Sequence, residues 1–176
     1  MVNLGFDDGR LLGPHDAYLK GEWADRDWRN VPGPMYGTIT AACLAGRPIA
    51  PDHILNLDGD VTEVIFRQPA NEIEVQRVLS GAWTDPFSSY ASDGDDHWTM
   101  ELIREWWSRR YEVIEWIDNP APWLVAEDAF GRDNAKGMQD YREYIHSGLE
   151  SYLRNYAFWL ESGRSALPGE SLPELD

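Results

Sequence analysis

Apolar residues recur along the second half of the chain with the period of an α-helix. Met138, Tyr141, Ile145, Leu149, Tyr152, Tyr156 and Trp159 stand at spacings of 3, 4, 4, 3, 4 and 3. That places them on one stripe of a helix running from about Asn134 to Ser162, with Gly163 as a natural stop. Gly137 and Gly148 fall inside it, each costing about 1 kcal/mol against alanine, so tertiary packing has to hold the helix. A shorter helical pattern starts at the N-cap Thr99 and carries Leu102, Ile103, Trp106 and Trp107, with Glu105 and Arg109 at pairing distance. Its continuation through Tyr111, Val113, Ile114, Trp116 and Ile117 reads equally as helix or strand, and Asn119-Pro120-Ala121-Pro122 ends it. A third helix opens at Asn71, whose spacing to Glu74 fits a capping box, and carries Ile73, Val75, Val78 and Leu79 up to Gly81.

Upstream the period changes. Ile54 to Leu57, the Asp58-Gly59 pair and the β-favouring run Val61 to Arg67 predict a hairpin over 54–67, closed by a turn that accepts positive φ. Residues 1–53 are punctuated by Gly13-Pro14, Pro32-Gly33-Pro34, Gly37, Gly46 and Pro48 and read as loop-rich, docked through Tyr18, Trp23, Trp28, Met35 and Tyr36. The apolar run from Thr38 to Ala45 fits a strand or one helical turn. The Pro-, Gly- and Ser-rich stretch 164–176 would be mobile unless packing or a partner ties it down. The expected architecture is α+β, a single domain over 1–176: a β-hairpin and an irregular N-terminal half packed on a mainly helical part at 71–163.

Composition supports a real core. At 176 residues the chain fits one domain, and its nine Trp, eight Tyr and five Phe are bulky material for the interior. The lone Cys43, among Ile39, Ala41, Ala42 and Leu44, reads as a small buried hydrophobe in a reducing compartment. Met1 to Arg10 has no basic region followed by an apolar one, and no apolar run approaches the ~20 residues of a membrane span. A cytoplasmic location is the expectation.

Charge adds a direction. The net charge is −16, from 31 acidic and 15 basic residues, which disfavours nucleic-acid backbones and anionic membranes and favours a basic protein partner. Fourteen acids against five bases lie between 61 and 130. Two segments there contain no Lys or Arg: 78–103, with Asp85, Asp93, Asp95, Asp96 and Glu101, and 111–131, with Glu112, Glu115, Asp118, Glu127 and Asp128. If they meet, Tyr90, Trp98, Trp116 and Trp123 would seed a negative face with aromatic anchors, the composition of a protein interface.

Candidate chemistry is sparse. Ser92-Asp93-Gly94-Asp95-Asp96-His97-Trp98 suggests calcium but breaks the EF-hand pattern, since His97 and Trp98 stand where a ligand and the turn glycine belong. A looser divalent site would use Asp93, Asp95 and His97. Glu143 and His146 form one Glu-x-x-His unit where di-iron bundles need two. His53 beside Asp52 reads as structural. No nucleophile elbow, dinucleotide fingerprint, P-loop or Cys-x-x-Cys occurs, and no cofactor is expected.

The stretch from Thr84 through Tyr90, Asp93-Gly94-Asp95-Asp96-His97-Trp98 to Trp107 resembles uncharacterised small acidic bacterial proteins. In style, acidic and aromatic-rich, the chain is similar to the immunity proteins that neutralise bacterial toxins. The resemblance implies a non-catalytic protein-binding module and carries over no functional residue. On the residues themselves two other readings stand beside it. One is a small metal-dependent or acid–base enzyme built on the Asp93–His97 loop, and the other is a DNA mimic.

Overall fold

The structure, a computed structural model, describes residues 12–39, 44–57 and 62–176. The first eleven residues, the middle of the Thr38–Ala45 run with Cys43, and the Asp58-Gly59 turn lie outside them. In chain order the elements are β1 (Tyr36–Gly37), α1 (Gly46–Ile49), β2 (Ile54–Asn56), β3 (Glu63–Ile65), α2 (Glu72–Thr84), β4 (Tyr90–Ala91), α3 (Met100–Ser108), α4 (Arg110–Asp118), α5 (Ala129–Ser147) and α6 (Leu149–Ser162). The fold is α+β, as the patterns predict.

β2 and β3 pair antiparallel, with Ile54 opposite Ile65, Leu55 opposite Val64 and Asn56 opposite Glu63. Successive side chains on a strand point to opposite faces, and here both faces are covered. Leu55, Leu57, Val64 and Phe66 enter a large core with α3 to α6. Ile54 and Ile65 enter a smaller one with Met35, Val75, Val78, Leu79 and Tyr90. The hairpin is the wall between two cores.

The irregular N-terminal segment reaches that wall through side chains that replace a strand. Prolines at 32 and 34 cannot donate to a ladder. Asn30 instead donates to Asp27 O and Gly37 O and accepts from the N–H of Gly37 and of Ile65 at 2.9 and 2.8 Å. Gln68 does the same for Val31 and Met35. β1 then pairs with β4, Tyr36 opposite Ala91 and Gly37 opposite Tyr90.

The helices follow their caps. Asn71 Oδ1 accepts from Glu74 N–H, while Glu74 accepts from Ala70 N–H and the Asn71 amide. Thr99 Oγ1 accepts from Leu102 N–H. Several expectations change, and two left open are decided. α2 continues past Gly81 to Thr84 because Gly81 is where α2 meets Gly46 and Ile54, and Ile73 is exposed, outside the buried side of Val75, Val78, Leu79 and Ala82. The 111–117 continuation is helical, but separated from α3 at Arg109, which pairs with Glu112 at 2.9 Å rather than with Glu105. The long C-terminal helix begins earlier, at the cap Asp128, and divides at Gly148. The stretch 164–176 is tied down: Arg154 donates to Pro173 O and Leu172 O, Arg104 to Glu174 O, and Leu175 is buried in the large core.

Gly137 shows why an unfavourable helix residue is kept. A Cβ there would fall on the guanidinium of the buried Arg47. Gly137→Ala is therefore expected to destabilise by about 1–3 kcal/mol through overpacking, against its ~1 kcal/mol gain in helix propensity. In an Arg47→Ala background the sign should reverse, and urea unfolding of the four proteins in this cycle measures it. A Gly137→Ala variant that is stabilised with Arg47 present would refute the clash.

Candidate functional site

A cleft of about 830 Å³ opens between the start of α2, one side of α6 and the 163–176 stretch. Three of its walls come from sequence-distant pieces. His53 precedes β2, and Arg67 to Ala70 lead from β3 into α2, which adds Glu74 and Arg77. Tyr144 comes from α5, and Tyr152, Asn155, Tyr156 and Trp159 from α6. Ser165 and Ala166 close the far side. The size is that of sites for small organic ligands, roughly 300–1,000 Å³.

Helical spacing builds the aromatic wall. Tyr152, Tyr156 and Trp159 lie four and three residues apart, so their rings align on one face of α6. Tyr152 stacks on Tyr156 at 5.9 Å and Tyr156 on Trp159 at 6.4 Å, each pair within 10° of parallel. Burial raises the pKa of Tyr152 and Tyr156 far above the ordinary tyrosine value, and pushes Tyr144 up to about 12. These phenols stay protonated. Tyr156 donates to Asp95 Oδ1 at 2.8 Å, whereas Tyr152 Oη is buried with no hydrogen-bond partner.

The opposite wall is charged. Glu74 is committed to the α2 cap. His53 is held through Nδ1 by the carbonyl of Arg67 at 3.0 Å, with Nε2 3.9 Å from Glu74 Oε2. Arg67 is held differently. Its guanidinium lies 4.7 Å from the centre of the Tyr144 ring, its Nε is buried and unpartnered, and no described carboxylate forms an ion pair with it. Arg77, exposed on the same wall, has no ion pair among the described residues either.

The acidic segments fare differently. Asp85, Tyr90 and Trp98 are buried. Asp85 accepts from Phe87 and Ser89 N–H to shape the turn after α2, Tyr90 donates to Glu63, and Trp98 packs edge-on to Trp23 beneath Arg26. Asp93 accepts from Tyr36 at 2.6 Å and lies 3.2 Å from His97 Nε2. Burial pushes Asp93 up, but those hydrogen bonds outweigh it and hold it below the usual carboxylate range; burial leaves Asp95 above it. Because Asp95 turns to Tyr156, the Asp93, Asp95 and His97 side chains do not converge, and no three His, Cys, Asp or Glu among the described residues gather as a metal would require. Asp96, Glu112 and Glu115 are exposed, Trp116 is half-buried under Arg29, Asp118 pairs with Arg142, Trp123 stacks on Phe130, and Asp128 caps α5.

The residues of the cleft are not those that the sequence singled out. His53 read as structural, and Tyr152, Tyr156 and Trp159 as core, which Tyr156 is, with Tyr152 and Trp159 packed against it. The usable signal was the shortage of bases: only five lie between 61 and 130, and Arg67 and Arg77 are two of them.

The chain matches no protein-family model, no curated protein and no solved structure. No helix among the described residues is long and apolar enough to cross a membrane.

Proposed function

We propose that this protein is a non-catalytic binding protein whose ligand seats in the cleft between α2 and α6. The observation that carries the reading is the aromatic wall of Tyr152 and Trp159, both stacked on the buried Tyr156, facing a charged one across a space of about 830 Å³. Concave, largely apolar sites with few polar groups are where small molecules bind. Binding is favoured over catalysis because the titratable groups are occupied: Glu74 caps a helix, His53 is held by a carbonyl, and Asp95 is held by Tyr156.

Ligand-observed NMR with a set of small flat aromatic compounds tests this. Several members should bind. Trp159→Ala, and independently Ala166→Trp, which fills the cleft from the 163–176 side, should each weaken binding at least tenfold. Circular dichroism of both variants checks their fold. The reading fails if no compound binds, or if binding is indifferent to both substitutions in folded protein.

A second reading keeps the basic protein partner, including an inhibitor of the immunity type. It is favoured by the outer face of α4 and the turn after it, where Tyr111 and Trp123 are exposed beside Glu112, Glu115 and Asp118. Such a surface would steer a cationic partner, with association falling steeply as salt rises. A pull-down at low ionic strength that retains no partner counts against it.

A further inference from the structure

We infer that the ligand of the cleft is a flat organic anion, its carboxylate or phosphate engaging Arg67 and its planar body lying against the α6 rings. The inference rests on the cleft being the binding site and adds the ligand's chemical class.

The starting point is a charge imbalance. Acids outnumber bases 31 to 15, so partners for an arginine are plentiful. Arg47, Arg109, Arg154 and Arg164 each hold a carboxylate. Among the described residues Arg67 holds none; Arg104, Arg110 and Arg132 also lack a carboxylate but donate to main-chain carbonyls, and Arg26 lies over Trp23 and Trp98. Arg67 is half-buried in the cleft with its Nε unpartnered, where a charge without a partner is costly. The two carboxylate-bearing residues that share the cleft wall do not relieve it: Glu74 is spent on Ala70 and Asn71, and Asp52 is exposed. The ring of Tyr144, 4.7 Å from the guanidinium, partly compensates its charge. A planar guanidinium matches the two parallel hydrogen bonds of a carboxylate or phosphate. Arg77 on the same wall, exposed and also without an ion pair, adds a second positive charge for an incoming anion.

The body of the ligand follows from the facing wall. Tyr152 and Trp159 are the partly exposed rings of that wall, both stacked on the buried Tyr156, and flat molecules stack on exposed aromatic surface at offset spacings. A cationic ligand would meet Arg67 and Arg77 directly, and an aliphatic anion would leave the ring wall unused.

Isothermal titration with matched probes tests the class. Indole-3-acetate should bind at least tenfold more tightly than its neutral isostere indole-3-acetamide, and tryptamine should bind more weakly than either. Phenyl phosphate against benzoate then shows which oxyanion Arg67 prefers. Arg67→Gln, which keeps length and donors and removes the charge, should make acetate and acetamide bind alike, and an unchanged unfolding midpoint shows the fold intact. Equal or stronger binding of the amide or the amine by the wild-type protein overturns the inference. So does an anion preference that survives Arg67→Gln. If neutral aromatics bind and anions do not, the anion assignment falls while the cleft stands. If nothing binds at all, the cleft reading itself falls.

Discussion

Replacing Arg47 by alanine is expected to cost about 3–5 kcal/mol of stability; Asp133 is 45% exposed, so the loss falls on the carbonyls left without a donor, about 1–3 kcal/mol each, and on the emptied volume. The Arg47 side chain is almost wholly inaccessible, yet every nitrogen is used. Nε and Nη2 grip Asp133 of α5 through its carboxylate, at 2.6 and 3.1 Å, and its main-chain carbonyl, at 2.6 Å; Nη1 donates to Pro51 O and Ile54 O at 3.0 and 2.9 Å. One guanidinium thus fastens α1, the entry to the hairpin and α5. Lysine has neither the fork nor the number of donors, so Arg47→Lys should recover only part of the loss. Arg47→Met refills the volume without donors, and the part of the loss it retains is the polar contribution. Urea unfolding measures all three, and a loss below 1 kcal/mol for Arg47→Ala would show that solvent replaces these bonds freely.

Glu63→Ala should cost roughly as much, about 3–5 kcal/mol, for a different reason. Glu63 is buried in β3, where Oε1 accepts from the N–H groups of Gly46 and Arg47 at 2.9 and 3.0 Å and Oε2 accepts from Tyr90 at 2.9 Å. Alanine would leave three buried donors without acceptors, each worth about 1–3 kcal/mol. Glutamine keeps an oxygen for both amides and presents its NH₂ to the Tyr90 oxygen, so Glu63→Gln should stay within about 1 kcal/mol of wild type at neutral pH. The two variants also separate in pH. Burial raises the folded-state pKa of Glu63 against the lowering effect of its three donors. The native state therefore holds this proton more tightly than the unfolded chain does, and the stability this confers is present below the unfolded glutamate value. It is lost as pH rises through the raised value. The difference in unfolding free energy, wild type minus Glu63→Gln, should fall across that window and then level off. A difference that rises with pH there would contradict the burial argument.

The parts of the fold legible in the sequence are those that local chemistry decides. Asn71, Thr99 and Gly163 announce helix ends through groups within four residues of themselves, and the apolar run 54–57 with the β-favouring run after Asp58-Gly59 marks the two paired strands. The stripe from Met138 to Trp159 marks a helical face correctly but is blind to the division at Gly148, because 3.6-residue periodicity survives a short break. Asn30 and Gln68 were illegible for another reason: a side-chain amide standing in for a strand looks like any polar residue in a loop. The cleft was harder still. Its walls come from Pro34, 52–77, 144–159 and 165–166, and that the Arg67 Nε is buried there without a partner is a property of three-dimensional neighbourhood alone. Trp98 and Tyr90 misled because an aromatic next to aspartates reads the same whether it faces water or the core.

The side-chain bridges of the N-terminal half have a consequence for how the chain folds in time. Asn30 needs β3, Trp28 O receives the Trp106 indole N–H 78 residues later, and Arg29 O receives the Tyr141 hydroxyl 112 residues later. Leu175 completes the same core that contains Val31. Helix-rich proteins usually fold in microseconds to milliseconds because their contacts are local, and distant closures push that towards milliseconds to seconds. This chain has helical content with the closure pattern of a β-protein. During synthesis, residues 26–38 emerge before α5, so a helix made later sets an earlier loop in place.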